Sequence, residues 1–317
     1  MKSILVTGGA GFIGSHLVDR LLADGNSVVV LDNFNNAYNP DIKRSNIYNH
    51  HKYSTYTLYE GDIRNIKDVN DIFLQTKFDQ VIHLAAMAGV RPSIENPSLY
   101  TDVNVNGTLN ILEACRIHGV HDFIFASSSS VYGNTSVFTE DINIDTPISP
   151  YAATKKAGEL LAYTYHHLFG IKTMCLRFFT VYGPRQRPDM AIHLFMDKIF
   201  HDQKISMYGN GNTYRDYTYI DDIIECIIKL SVINYNYEIL NLGRSDTVQL
   251  TSLICKIEEC LMKKANIAHY DIQPGDVEYT CAHVEKIKSL INFSPTISID
   301  EGLKRFTNWF VTKELQQ

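Results

Sequence analysis

The sequence predicts an α/β fold, a doubly wound parallel sheet with a smaller, interleaved C-terminal lobe. Three observations predict it. Short continuous apolar runs alternate with helical patterns through the first half of the chain, and continuous runs belong to strands that are covered on both faces. A glycine-rich turn joins the first apolar run to the first helical pattern. Gly183-Pro184 and Arg187-Pro188 then interrupt the rhythm, and a different pattern follows.

In order, residues 4–7, 28–32, 56–59, 81–84, 123–126 and 173–177 read as buried strands. Helical periodicity separates most of them, notably at 12–23, 99–118 and 151–169. Past the break, 189–200 reads as a helix and 205–208 as a short strand. Residues 221–230 and 238–242 read as a helix and a strand that return to the large sheet, followed by helices at 250–263 and 299–312. The expected division is a cofactor domain over 1–178, with 221–243 rejoining it, and a second lobe made mainly of 179–317.

With 317 residues, 45% hydrophobic and 20% charged, the chain has enough apolar surface for a core without disulfide or metal support. A net charge of −6 predicts no general affinity for nucleic acid or anionic lipid. An anionic ligand must therefore meet a local set of donors. The six cysteines form no CxxC pair, and Met1-Lys2-Ser3 runs straight into an apolar strand. Reduced thiols, a cytoplasmic location and no membrane span are expected. Among twelve histidines, His50-His51 and His166-His167 are adjacent pairs pointing in different directions, so no metal site is expected.

The turn Thr7-Gly8-Gly9-Ala10-Gly11-Phe12-Ile13-Gly14 spaces its glycines as GxxGxxG between a strand and a helix. Glycine allows a positive φ and a close approach of backbone N–H groups to a pyrophosphate, and the helix N-terminus favours that anion. Gly8, Gly11, Phe12, Ile13 and Gly14 are thus the dinucleotide site of a Rossmann-type domain. Asp32 ends the second strand, where a carboxylate accepts ribose hydroxyls and repels a 2′-phosphate. Asn33 adds no positive charge, so the cofactor expected is NAD rather than NADP. Asp62-Ile63 follows the third strand and is placed at the adenine edge, with a turn role for Asp62 as the alternative.

Tyr151 and Lys155 form YxxxK, which puts both on one helix face. An ammonium beside a phenol favours phenolate, and the pair can take a proton from an alcohol as hydride leaves for a nicotinamide. The run Ser127–Ser130 follows a strand at the sheet's carboxyl edge. A hydroxyl there can donate to the substrate oxygen that becomes a carbonyl. Helix capping is the alternative.

Together these residues resemble the extended short-chain dehydrogenase/reductase family over nearly the whole chain. GGAGFIG, His83-Leu84-Ala85-Ala86, the serine run before Val131-Tyr132-Gly133, and Tyr151 with Lys155 fall in family order. Within that family the chain is most similar to UDP-glucuronate 4-epimerases. The segments that carry this are AGVRPSIENP at 88–97, LRFFTVYGPRQRPDM at 176–190 and QPGD at 273–276.

The resemblance implies that Tyr151 takes the proton of the sugar 4-hydroxyl. Ser128 steadies O4, and Lys155 binds the nicotinamide ribose. Leu84, Ala85 and Ala86 line the cofactor. It further implies a 4-keto sugar that turns over in the site and NAD that stays bound. A glucuronate passes through a β-keto acid, which loses carbon dioxide unless its carboxylate is held out of alignment. Ser129, Ser130, Thr180 and Arg187 are the candidates for holding it, Arg187 through a bidentate contact. A solvated surface cation is the alternative for Arg187.

Arg215 is implied at the diphosphate and Asp276 at the uridine ribose. Gln273 departs from the arginine that many relatives carry. Arg91 is the candidate to compensate, with a structural salt bridge as its alternative. Dehydratases of the family carry an acid pair where this chain has Ser129 and Ser130, which argues against elimination of water. Neutral UDP-sugars, oxidative decarboxylation and a non-catalytic NAD-binding protein are the other readings. A homodimer through the helices at 99–118 and 151–169 is implied as well.

Overall fold

The computed structural model describes residues 1–271, 275 and 277–315. Its strands are β1 Ser3–Thr7, β2 Ser27–Asp32, β3 Tyr56–Glu60, β4 Gln80–His83, β5 Asp122–Ser128, β6 Lys172–Phe178, β7 Thr180–Tyr182, β8 Lys204–Tyr208, β9 Tyr214–Tyr219, β10 Tyr237–Leu242, β11 Thr247–Gln249 and β12 Asn266–Tyr270. Its helices are α1 Phe12–Ala23, α2 Pro40–Ile47, α3 Ile66–Gln75, α4 Val90–Glu95, α5 Pro97–Thr101, α6 Gly107–His118, α7 Pro150–Phe169, α8 Ala191–Phe200, α9 Ile220–Leu230, α10 Leu250–Leu261, α11 Glu285–Ile291 and α12 Ile299–Glu314.

Seven strands form one sheet in the order β10-β6-β5-β4-β1-β2-β3, and every neighbouring pair is parallel. Successive side chains of a strand face opposite sides. Ile4 and Val6 accordingly enter one apolar cluster, with Leu17, Val18 and Leu21 of α1. Leu5 enters the other, with Ile111 and Leu112 of α6 and Ala162 of α7. Both faces are thus covered, as the continuous apolar runs require. Strand order reverses between β1 and β4, and the crevice outside the carboxyl ends at such a point is where ligands bind in this architecture.

Strand β10 lies at the edge of the large sheet, paired to β6 from Tyr237↔Thr173 to Leu242↔Phe178. Two small sheets build the rest of the second half, β11-β9-β7 and β12-β8. Residues 99–118 are not one helix. Asp102–Asn106 forms a wider π turn between α5 and α6. There Asn104 turns inward and bonds the Met87 backbone, accepting from its N–H at 2.8 Å and donating to its carbonyl at 2.9 Å. Helix α7 is delimited as its sequence demands. Ser149 caps its N-terminus by accepting from the Ala152 N–H, Pro150 opens it, and Gly170 closes it at φ 68°.

Candidate active site

The carboxyl ends of the parallel strands open into a cleft of about 790 Å³. At one end lies the glycine-rich turn. Gly8 has φ 72°, and a Cβ there would stand 2.8 Å from the Ala85 backbone. A Cβ on Gly14 would stand 2.2 Å from the Gly8 carbonyl oxygen. The turn therefore closes only with glycine, leaving Gly11 as the N-cap of α1. Gly8, Gly11, Phe12, Ile13 and Gly14 all line the cleft, as do Leu84, Ala85 and Ala86 after β4. This backbone cradle at a helix N-terminus fits a dinucleotide pyrophosphate.

Asp32 and Asn33 line the same end. The Asp32 carboxylate accepts from the N–H of Ala10 at 3.0 Å and of Phe34 at 2.9 Å. Burial raises its pKa, opposed by those bonds and by the Lys43 ammonium. Lys43 also lines the cleft, and its ammonium donates to the carbonyl and side-chain oxygens of Asn35, both at 2.9 Å. Sequence reasoning missed Lys43, which sits eleven residues past Asp32 with no motif to mark it. The Asp62 carboxylate is taken up by Arg64 at 2.8 Å and by Asn33 at 2.8 Å. Burial opposes ionisation there, but these bonds lower the pKa to about 2. Its neighbour Ile63 faces the cleft instead.

At mid-cleft, Tyr151 and Lys155 of α7 meet Ser128 at the end of β5. The phenol of Tyr151 and the hydroxyl of Ser128 both line the cleft. Burial raises the pKa of Tyr151, and the neighbouring Ser128 hydroxyl and the charge of Arg187 offset part of that rise. The Arg187 guanidinium is a cation that favours the phenolate here. The Lys155 ammonium donates to the Ala126 carbonyl at 2.8 Å, and burial lowers its pKa to about 7. Ser128 also accepts from the Ser130 N–H at 3.1 Å, so its capping role and its place in the cleft coexist.

The support beneath this centre was not legible beforehand. Tyr151, Lys155 and Glu159 succeed one another at i, i+4 spacing on α7. Glu159 accepts from the Ser127 hydroxyl at 2.6 Å and binds the buried Arg177 twice, at 2.8 and 2.9 Å. Arg177 donates onward to the Tyr132 hydroxyl at 2.9 Å. On another side, Asn104 donates to Thr154 at 3.0 Å, and Thr154 donates to the Tyr151 carbonyl at 2.9 Å.

Ser129, Ser130, Thr180, Arg187, Arg91 and Arg215 all line the cleft as well. Arg187 is bound by Asp189 and donates to the Ala88 carbonyl at 3.4 Å. Arg91 stacks over the Tyr208 ring at 4.4 Å. Arg215 donates to the backbone carbonyls of Tyr214 and Val277. Asp276 and Gln273 lie outside the described residues.

Residues 5–306 match the GDP-mannose 4,6 dehydratase family. The chain is 45% identical to a UDP-glucuronate 4-epimerase of Thermodesulfobacterium geofontis, over 98% of this chain and 96% of that one. It superposes on the crystal structure of a UDP-glucuronic acid 4-epimerase from Bacillus cereus in complex with UDP-glucuronic acid and NAD. That match has a TM-score of 0.93 and 36% identity, and covers 98% of this chain and 99% of the other. A UDP-glucose 4-epimerase of Thermotoga maritima with UDP-glucose superposes with a TM-score of 0.91 at 31% identity, again over 98% and 99%.

Proposed function

This chain belongs to the GDP-mannose 4,6 dehydratase family, and from that premise we propose that it epimerises UDP-glucuronate at C4 to UDP-galacturonate with NAD as its cofactor. The observation that carries the choice of substrate is the placement of Arg187. Its guanidinium lines the cleft and acts electrostatically on Tyr151. A cation beside the base suits a hexuronate carboxylate better than a neutral hydroxymethyl group.

NAD, when bound, supplies the hydride acceptor that oxidation at C4 needs and the donor that restores it. The glycine turn holds the pyrophosphate, Asp32 the adenosine ribose, Ile63 the adenine edge in place of Asp62, whose carboxylate is engaged by Arg64 and Asn33, and Lys155 the nicotinamide ribose. Tyr151 takes the proton from the 4-hydroxyl and gives it back on the other face. Ser128 donates to O4 as it becomes a carbonyl oxygen. Arg187, Thr180, Ser129 and Ser130 hold the carboxylate so that the C5–C6 bond lies poorly aligned with the carbonyl π system. Arg215 and Arg91 meet the diphosphate, and Asp276 the uridine ribose. Ser129 and Ser130 offer no acid for elimination across C5–C6, so the dehydration in the family's name is not the reaction here.

The second half forms most of the sugar-nucleotide lobe, with 221–243 belonging to the NAD domain. Among the described residues no helix is long and apolar enough to cross a membrane. We place the enzyme in the cytoplasm. Leu109 and Ile117 of α6, with Leu160, Tyr163 and Leu168 of α7, are exposed, and they suit a helix-paired homodimer. The test is to give the purified protein UDP-glucuronate, UDP-glucose and UDP-N-acetylglucosamine and identify products by NMR. UDP-galacturonate from the first is expected. Turnover of the neutral sugars alone, with Arg187→Ala harmless, rejects the proposal.

A further inference from the structure

We propose that Arg185 is a positioning residue for substrate choice: its ion pair with Asp19 locks the turn at 183–190 so that Arg187 faces the sugar. This rests on the function proposed above. The two arginines are two residues apart and do opposite things. Arg187 lines the cleft, whereas Arg185 does not. Arg185 turns outward and meets the Asp19 carboxylate on α1 at 2.7 Å.

The backbone explains why such a turn needs holding. Gly183 has φ 145° and Arg185 has φ 64°. A left-handed conformation at a residue with a long side chain persists where its surroundings hold it. Helix α1 supplies that hold. Asp19 is itself fixed, because its other oxygen meets Nε2 of the fully buried His50 at 2.8 Å. Three residues earlier on α1, Nε2 of His16 meets the Pro184 carbonyl at 2.9 Å. Burial and the nearby Arg185 charge lower the His16 pKa to about 4, so this ring is neutral and donates.

The other flank is held from the second lobe. Gln186 donates through Nε2 to the Val181 carbonyl at 3.0 Å, and Nδ1 of His193 meets the Gln186 carbonyl at 2.6 Å. Helix α1 begins at the glycine-rich turn, so the cofactor cradle and the carboxylate-holding turn share one rigid anchor. A partly exposed ion pair adds little to global stability. What Arg185 and Asp19 decide is where Arg187 points.

A loosened turn has a chemical signature. Once C4 is a ketone and the carboxylate swings into alignment, the C5–C6 bond breaks. Carbon dioxide leaves, the electron pair enters the C4–C5 enolate, and C5 takes a proton. The products are a UDP-4-keto-pentose, carbon dioxide and a dinucleotide left reduced. An Arg185 variant should show this leak although the residue touches no substrate.

The test uses the purified holoenzyme with Arg185→Met, Arg185→Lys and Asp19→Asn, and with Arg187→Met as reference. For Arg185→Met the KM for UDP-glucuronate should rise about 10- to 100-fold, the scale of a displacement of roughly 1 Å at a binding group. The inhibition constant of UDP-glucose should stay within about twofold and the melting temperature within about 2 °C, as for a surface pair. Carbon dioxide and 340 nm absorbance should accumulate, and Arg185→Lys should restore most of the selectivity. Asp19→Asn should reproduce the effect independently. Unchanged KM and carbon dioxide in both variants, or parallel weakening of both ligands, overturns the proposal. Wild-type enzyme inert on UDP-glucuronate would sink the assigned reaction itself, whereas an active wild type with indifferent variants sinks the clamp alone.

Discussion

The ammonium of Lys155 donates to the carbonyl oxygen of Ala126 at 2.8 Å, tying the helix that carries Tyr151 to the strand end that carries Ser128. One turn further along the helix, Glu159 grips Ser127 at 2.6 Å. Two successive bonds from one helix face thus hold the last residues of β5 and fix how Tyr151 and Ser128 sit relative to one another in the cleft. In the proposed reaction, preorganisation of this kind lets a weakly acidic phenol act as a base without reorganising when the sugar arrives.

Replacing Tyr151 with Phe should lower kcat about 10²- to 10⁴-fold, the usual worth of a positioned proton acceptor. The KM for UDP-glucuronate and the NAD content of the purified protein should change little, because the phenol acts on the reacting proton. Steady-state rates and cofactor extraction measure both. A variant with near-normal kcat would remove Tyr151 from the chemistry.

Arg187 shares its guanidinium with Asp189. Arg187→Ala should raise the KM for UDP-glucuronate about 10- to 100-fold, the cost of a lost charged hydrogen bond. Asp189→Asn should move the same KM downward or leave it unchanged, since it removes a competing carboxylate. Product analysis by mass spectrometry should find carbon dioxide released by Arg187→Ala and not by Asp189→Asn.

On the proposed reading, Asp32 sets the cofactor. Asp32→Asn should weaken NAD about tenfold or more, the scale of a lost charge-assisted bond, and should narrow the preference over NADP by removing the charge that repels a 2′-phosphate. Lys43, already at that end of the cleft, would then face the added phosphate. Fluorescence titration of the stripped variant with each dinucleotide checks the shift.

His83 predicts an acid limit. It is buried between Thr7 at 2.7 Å and Thr108 at 3.0 Å, and burial lowers its pKa from 6.5 to about 3. The unfolded chain therefore binds the proton first. Stability from this group is fully present above pH 6.5 and is lost as the pH falls toward 3, by roughly 2 kcal/mol between pH 7 and pH 5. Urea unfolding of wild type and His83→Gln across that range should show a flatter dependence in the variant.

Much of this was legible because the strongest signals are local. A run such as Ile4-Leu5-Val6 announces a strand covered on both faces, and GxxGxxG is demanded by contacts as close as 2.2 Å between Gly14 and Gly8. The YxxxK pair fixes its own geometry on one helix. What stayed hidden depends on distant partners. Glu159 meets Arg177 from another element, and Asn104 converts a helix into a π turn because Met87 lies opposite. The strands β7, β9 and β11 are three to six residues long and are stabilised by pairing with one another, so periodicity gave little to read. For Tyr151 burial dominates, and Arg187, from the turn after β7, offsets part of it, a partner that no local pattern marks.

The most direct measurement follows the hydrogen on C4. UDP-glucuronate carrying deuterium at C4 is turned over in ordinary water, and the UDP-galacturonate formed is examined by NMR and mass spectrometry. Deuterium retained at C4 of the inverted product is the result predicted for a hydride that leaves and returns within one closed site. Product that has lost its deuterium to solvent, or no inversion at C4 with the label intact, contradicts it.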